Sequence, residues 1–436
     1  MAGISTAPAN YAAAPSQTYR GALAIVTTLF FMWGFCTVLN DALIPHLQSI
    51  FQLSYVQASY VQLAFFSSYF VFAMPAGWLI ERIGYQRTMV VGLAVMALGA
   101  LLVVPAATTA KYPLFLAVQV VIAAGITILQ VSANPYVTIL GPPETASSRL
   151  NLTQAFNTLG DTVAPYFGSM LILGRAVVET APKDPAALTA YHIRQAGTVK
   201  LPYVGIAATL IILGIAIALF RFPRLEVTRD FRPAEAGSTG DSIWKHPHVW
   251  LGAIAIFIYV GAEVSVGSFL AKFIASPAIG NMTLQTATKM VTFYWAGMMV
   301  GRFAGSYVMQ KVSSSRLLAA SGVGGFLVVL AAVLTTGHTA MWFILAVGLF
   351  NSIMFPTIFT LGVAEMGPLT GRASGLLVQG IVGGALIPVM MGKLADTYGI
   401  HLALILPCLC YLFVIYYGFS GFRIKMGEKQ SELRPV

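Results

Sequence analysis

The sequence predicts an all-α integral membrane protein of twelve transmembrane helices, arranged as two pseudo-symmetric six-helix bundles. Three observations carry that prediction. Of 436 residues, 57% are hydrophobic and only 9% are charged, against roughly 25% charged in an average soluble domain. The apolar residues run in long blocks, such as 21–39, 88–104 and 204–220; a bilayer core about 30 Å thick is crossed by about 20 helical residues. Finally, a set of Pro, Gly and Arg positions in the first half of the chain returns in the second. The ten-residue alternation of a membrane β-barrel is absent.

Taken in order, residues 1–20 are Ala-, Pro- and Ser-rich, without the basic cluster and apolar core of a signal peptide, and are expected to form a disordered tail. Six spans follow at 21–46, 57–80, 88–108, 112–140, 150–173 and 202–221, making an N-terminal bundle over 21–221. Residues 222–248 are polar, basic and interrupted by Pro and Gly, so they read as a linker. Spans at 249–273, 286–309, 315–336, 340–364, 372–394 and 400–422 make a C-terminal bundle over 249–423, and 424–436 is a short tail.

A net charge of +10 would suggest nucleic acid in a soluble protein. Here the bases are assigned to short loops: seventeen of the 25, Arg302 among them, to the side of the termini and eight to the other. By the positive-inside rule both termini are expected in the cytoplasm of a cell that holds the chain in its inner or plasma membrane. Nucleic acid is not an expected partner, and the bundle is expected to work as a monomer. Cys36, Cys408 and Cys410 all lie in apolar segments without metal-ligand spacing, so neither a disulfide framework nor a metal is expected.

The repeat is specific. Pro135 and Gly141 are six residues apart, as are Pro356 and Gly362; Arg149 to Gly160 is eleven residues, as is Arg372 to Gly383; Gly160 to Pro165 is five, as is Gly383 to Pro388. Duplicated six-helix halves with a site between them are the build of an alternating-access transporter.

Polar residues inside the spans mark the candidate site. A carboxylate in hydrocarbon costs at least roughly 2.5–3.5 kcal/mol unless paired, protonated or hydrated. Asp41, Asp161 and Glu263 are the acids placed well inside a span. Asp161 is left open between a structural pair and a functional group. Counting from Arg20 puts Asp41 in the outer third of its helix, beside Asn40. Gln154 and Asn157, three apart, share one face of the fifth span; Gln130 and Asn134, four apart, share one face of the fourth. Such amides match a polyhydroxylated ligand, or else bind helix to helix. Asn351 and Gln379 are the second-half counterparts, and Trp33, Tyr259, Trp295 and Phe355 are candidate stacking aromatics.

The loop GWLIERIGYQR (77–87) resembles the signature of the major facilitator superfamily, in which Glu81, Arg82 and Arg87 would form a gating latch; a plain basic loop is the competing reading. FFMWGFCTVLNDALIPHLQ (30–48), ILQVSANPYVTILGP (128–142), SSRLNLTQAFNTLGDTVAPYFG (147–168), YVGAEVSVGSFL (259–270) and NSIMFPTIFTLG (351–362) narrow this to a resemblance with the fucose–proton symporter family, which includes fucose and glucose/galactose permeases. That resemblance implies ion coupling at Asp41, with Glu263 as a second coupling or sugar-binding carboxylate in the manner of the glucose/galactose branch. It implies sugar contacts at Gln154 and Asn157. Gln130 stands where the fucose branch has a glutamate, so a two-carboxylate scheme within the first half is lost here.

Without a phosphate loop, nucleotide-binding sequence or protease motif, neither ATP drive nor an enzyme is expected. The expected function is cation-coupled symport of a neutral monosaccharide without a cofactor. The coupling ion is expected to be a proton, with sodium as the alternative. A non-transporting sugar sensor is the reading from another class, and it would be expected to lose the latch that this chain keeps.

Overall fold

The computed structural model describes the backbone of residues 17–51, 55–109, 111–171, 191, 193–194, 197–223 and 242–424, and their side chains apart from 39–59 and 165–171. Most of the tails and of the expected linker therefore lie outside the described residues.

All regular structure among the described residues is helical. Helix α1 (Arg20–Phe51) leads into one helical stretch, Tyr55–Thr109, that Gly84 divides into α2 (55–83) and α3 (85–109). At φ 80° and ψ 169°, Gly84 adopts a backbone that a side chain would oppose, so the chain reverses without a longer loop. Then come α4 (Tyr112–Ile139), α5 (Ala146–Leu171) and α6 (Lys200–Leu219). The second half holds α7 (Pro247–Ala275), α8 (Leu284–Val308) and α9 (Ser314–Leu334). It ends with α10 (Gly337–Gly362), α11 (Gly367–Tyr398) and α12 (Ile400–Gly421).

Nine stretches among the described residues are long and apolar enough to cross a membrane. One of them, Tyr60–Thr109, contains both α2 and α3; the more polar α5 and α8 complete the twelve. Most of the helices start one to five residues before the spans expected from hydropathy, because hydropathy marks only their lipid-immersed length. Helix α5, for example, starts at Ala146, and its first turn buries Ser147, Ser148 and Arg149.

The repeat has physical content. Gly160 lets α5 lie on α1, since a Cβ there would strike the Phe31 carbonyl; Gly383 lets α11 lie on α7 in the same way, against the Phe257 carbonyl. The two prolines release backbone acceptors, because proline has no N–H for the carbonyl four residues earlier. Pro135 frees the Val131 carbonyl, which accepts from Ser374 Oγ of α11 at 2.7 Å. Pro356 frees the Ser352 carbonyl, which accepts from Arg302 Nε at 3.2 Å. There α10 breaks at Ser352–Ile353, an irregularity that hydropathy does not reveal. A second one is the 3₁₀ turn Gly380–Val382 within α11.

Assignment of Arg302 to a loop is corrected. It lies inside α8 and is buried, with its guanidinium turned between the halves.

Candidate functional site

Contacts between the two halves run from the end that carries the termini to mid-membrane. At that end Glu81 of α2 forms an ion pair with Arg372 of α11, Nη2 donating a hydrogen bond to Oε2 at 3.0 Å and Nε standing 2.8 Å from Oε1. Beneath it α2 and α11 touch backbone to backbone, since a Cβ on Gly77 would come within 2.6 Å of the Gly371 carbonyl oxygen. Close approach through small residues is how membrane helices pack.

A second seam joins α5 to α8. The Ser148 hydroxyl donates to the Ser306 carbonyl at 2.6 Å and the Ser306 hydroxyl to the Ser148 carbonyl at 2.9 Å. Asn151 Nδ2 donates to the Arg302 carbonyl at 2.6 Å. Arg302 Nη1 in turn donates to the Gln154 carbonyl at 2.8 Å and to the Thr158 hydroxyl.

Toward the opposite end the halves part around a cavity of about 340 Å³, within the range of small-molecule sites. Its N-terminal wall has Thr37 of α1, Gln62, Phe65 and Phe66 of α2, and Gln119 of α4; its C-terminal wall has Glu263, Val264, Gly267 and Ser268 of α7 and Trp295 of α8. Gln119 lies seven residues, or about 10 Å, from the start of α4, and Glu263 sixteen, or about 24 Å, from the start of α7. The cavity thus lies between mid-membrane and the end away from the termini. Glu263 is half-buried, within hydrogen-bonding reach of Tyr259 and in the field of Arg302.

Apart from Gln379 and the latch residues, the expected site residues divide into three groups. Glu263 and Trp295 face the cavity together. Asn40 and Asp41 belong to α1, three and four residues beyond the cavity-lining Thr37, but their side chains lie outside the described residues. The others are buried beside or behind the cavity. Asn351 is a node of the second half: its Nδ2 donates to the Tyr294 hydroxyl at 3.0 Å, its Oδ1 accepts from Tyr411 at 2.7 Å, and its carbonyl accepts from Tyr259 at 2.9 Å. Gln130 donates to the Tyr69 hydroxyl at 2.8 Å, and Asn157 to the Phe30 carbonyl of α1 at 2.9 Å. Asn134 and the Gln154 Nε2 are buried without a hydrogen-bond partner among the described residues. Trp33 and Phe355 are buried as well.

Gln379 stands apart. It donates to the Phe70 carbonyl at 2.9 Å and lines a separate, apolar crevice with Trp244 and Trp250. In the loop signature, Glu81 takes its partner from the far half, whereas Arg82 and Arg87 are solvent-exposed and form no ion pair among the described residues. Sequence reasoning missed Thr37, Gln62 and Gln119. A lone amide early in a long apolar helix, as at Gln119, was the available signal.

A sequence profile described as Major Facilitator Superfamily matches residues 23–388. The chain is 47% identical over 414 residues to the glucose/galactose transporter of Brucella abortus, covering 95% of this chain and 97% of that one. It is 34% identical over 419 residues to the L-fucose-proton symporter of Escherichia coli, covering 94% and 95%. The crystal structure of the transporter FucP in the outward conformation superposes with a TM-score of 0.84 at 32% identity, over 92% of this chain and 98% of that one. The chain belongs to the major facilitator superfamily.

Proposed function

We propose that this protein is a proton-coupled symporter of a neutral hexose of the glucose and galactose type, working by alternating access. The observation that carries the proposal is the cavity shared by the two halves. It sets a carboxylate, Glu263, and an indole, Trp295, across from the amides Gln62 and Gln119. Amides and a carboxylate supply paired donors and acceptors for sugar hydroxyls, and an aromatic face suits the apolar face of a pyranose. The name of the Brucella relative and its 47% identity support the same substrate class, and the fucose-proton symporter supports the proton as coupling ion.

Within this reading residues 21–221 and 249–423 rock against each other about the central site, joined by the linker 222–248. Both termini face the cytoplasm, and one chain suffices. Asp41 carries the coupling proton. Gln130, Asn134, Gln154 and Asn157 line the sugar path when the α5–α8 seam opens. Glu81, with Arg82 at the end of α2 and Arg87 at the start of α3, sets the gating equilibrium.

The test is uptake of labelled glucose, galactose and fucose into proteoliposomes. An imposed inward proton gradient should drive accumulation of at least one hexose, and a sodium gradient alone should drive none. Accumulation that follows sodium only, or transport confined to amphipathic cations, would overturn the proposal.

A further inference from the structure

We propose that Phe66 of α2 is a specificity-determining residue: its ring walls the central cavity off from the hydrocarbon and so selects against hexoses that carry an apolar substituent. This rests on the sugar-transport reading above and narrows its substrate class to free hexoses, with alkyl and aryl derivatives denied a buried place by one side chain.

Helices α2 and α11 run antiparallel along the join between the halves. Toward the termini their backbones touch: Gly77 lies on Gly371, and a Cβ on Gly375 would come within 2.8 Å of the Ala73 carbonyl oxygen. One turn further along α11, Gln379 Nε2 donates to the Phe70 carbonyl at 2.9 Å. At Gly384, a turn beyond that, the nearest neighbours are side chains instead of backbone. A Cβ there would come within 2.8 Å of Phe66 Cε1, 3.0 Å of Phe66 Cζ and 3.2 Å of Val264 Cγ2. The Phe66 ring is thus seated on a glycine of the opposite half. Its own helix holds it from behind, with the Phe65 ring at 5.7 Å between centroids and the Tyr69 ring at 6.4 Å.

This contact falls between two spaces of opposite character. Phe66 and Val264 line the cavity of about 340 Å³ that holds Glu263 and the amides. One turn nearer the termini, Phe70 of α2, Phe257 of α7 and Gly380 of α11 line the apolar crevice of about 620 Å³. Phe70, Ile254 and Leu386 on that crevice are exposed, so it faces the hydrocarbon of the membrane. Gly384 contributes no side chain, and the Phe66 ring is what stands between sugar site and lipid. An apolar chain on a bound sugar would be stabilised in the crevice by about fourfold in affinity for each methylene buried. The ring, close-packed on Gly384 and flanked by two aromatics, bars that route.

The experiment is calorimetric titration of the full-length protein in nanodiscs with methyl, ethyl, propyl and butyl derivatives of glucose and galactose. One series carries the chain as a glycoside at C1, the other as an ether at C6. In the unaltered protein, affinity should stay level or fall as the chain lengthens. In Phe66→Ala at least one series should tighten by about tenfold or more from methyl to butyl, three methylenes setting a ceiling of roughly sixtyfold. Phe65→Ala removes a neighbouring cavity ring that is not the one seated on Gly384, and its series should stay level. Level series throughout in Phe66→Ala, or the same tightening in the unaltered protein or in Phe65→Ala, overturns the proposal. If Phe66→Ala does not fold, Phe66→Leu, which opens the edge of the partition while staying apolar, must tighten in the same direction. Free-hexose binding and proton-driven uptake are measured separately, so they can succeed while every alkyl series stays level, and then this proposal alone fails.

Discussion

Replacing Arg372 with Ala removes the ion pair with Glu81, and the structure sets the scale of what is lost. The pair has one hydrogen bond, Nη2 to Oε2 at 3.0 Å, and one close ionic contact, Nε to Oε1 at 2.8 Å. The side chains are 42% and 22% exposed, however, so water and salt screen them. An exposed pair is worth about 0–1 kcal/mol, and the hydrogen bond and partial burial place this one near the top of that range. The pair spans the two halves, so it stabilises only the state in which they meet at the termini end. Losing about 1 kcal/mol from one side of a two-state equilibrium shifts it about fivefold. Labels across the seam, read by pulsed spin-resonance distances in nanodiscs, should report that shift, and it should shrink at high salt. Glu81→Ala should give the same shift, and the double mutant no more than either alone. Additive effects in the double mutant would refute the pairing, as would loss of equilibrium sugar binding in folded Arg372→Ala.

Gly383→Ala should destabilise the detergent-solubilised protein by the roughly 1–3 kcal/mol typical of overpacking, read as a lower thermal transition, because its Cβ meets the Phe257 carbonyl. Gly205→Ala, with open space around it, should be neutral or stabilising in the same melt. Ser374→Ala orphans the Val131 carbonyl, at a cost of about 1–3 kcal/mol to the closed seam, and should raise the rate of labelling at a cysteine introduced on that seam. Asp41→Asn should abolish proton-driven accumulation yet leave counterflow exchange, since a permanently neutral side chain imitates the loaded carrier; accumulation by the mutant would move the coupling site elsewhere.

The architecture was legible because hydrocarbon leaves a coarse and unambiguous signature, and because the Pro–Gly–Arg spacing recurs across the chain. Glu263 was legible for a related reason, as an acid within an apolar helix has few explanations. Partners were harder to read. Arg372 stands 291 residues from Glu81, and spacing along one helix says nothing about a contact across the molecule. Asn351 had the composition of a binding residue, but three tyrosines from three other helices hold its side chain and its carbonyl. Arg302 looked like a loop base because a single charge near a helix end fits the inside-positive pattern as well as a buried one does. The breaks in α10 and α11 fall in apolar stretches where local propensity is indifferent and tertiary packing decides.

The carbonyls that Pro135 and Pro356 set free have an evolutionary consequence. A side-chain lock is lost when either partner mutates, but these acceptors belong to the main chain and persist while the proline remains. Only the donor can drift. One half of the duplicated chain now answers its vacant acceptor with a serine hydroxyl and the other with a guanidinium, bonds that differ about twofold in strength. The matched prolines thus give each half an open main-chain socket, and substitution at a distant position could change the donor that fills it while the acceptor stays in place.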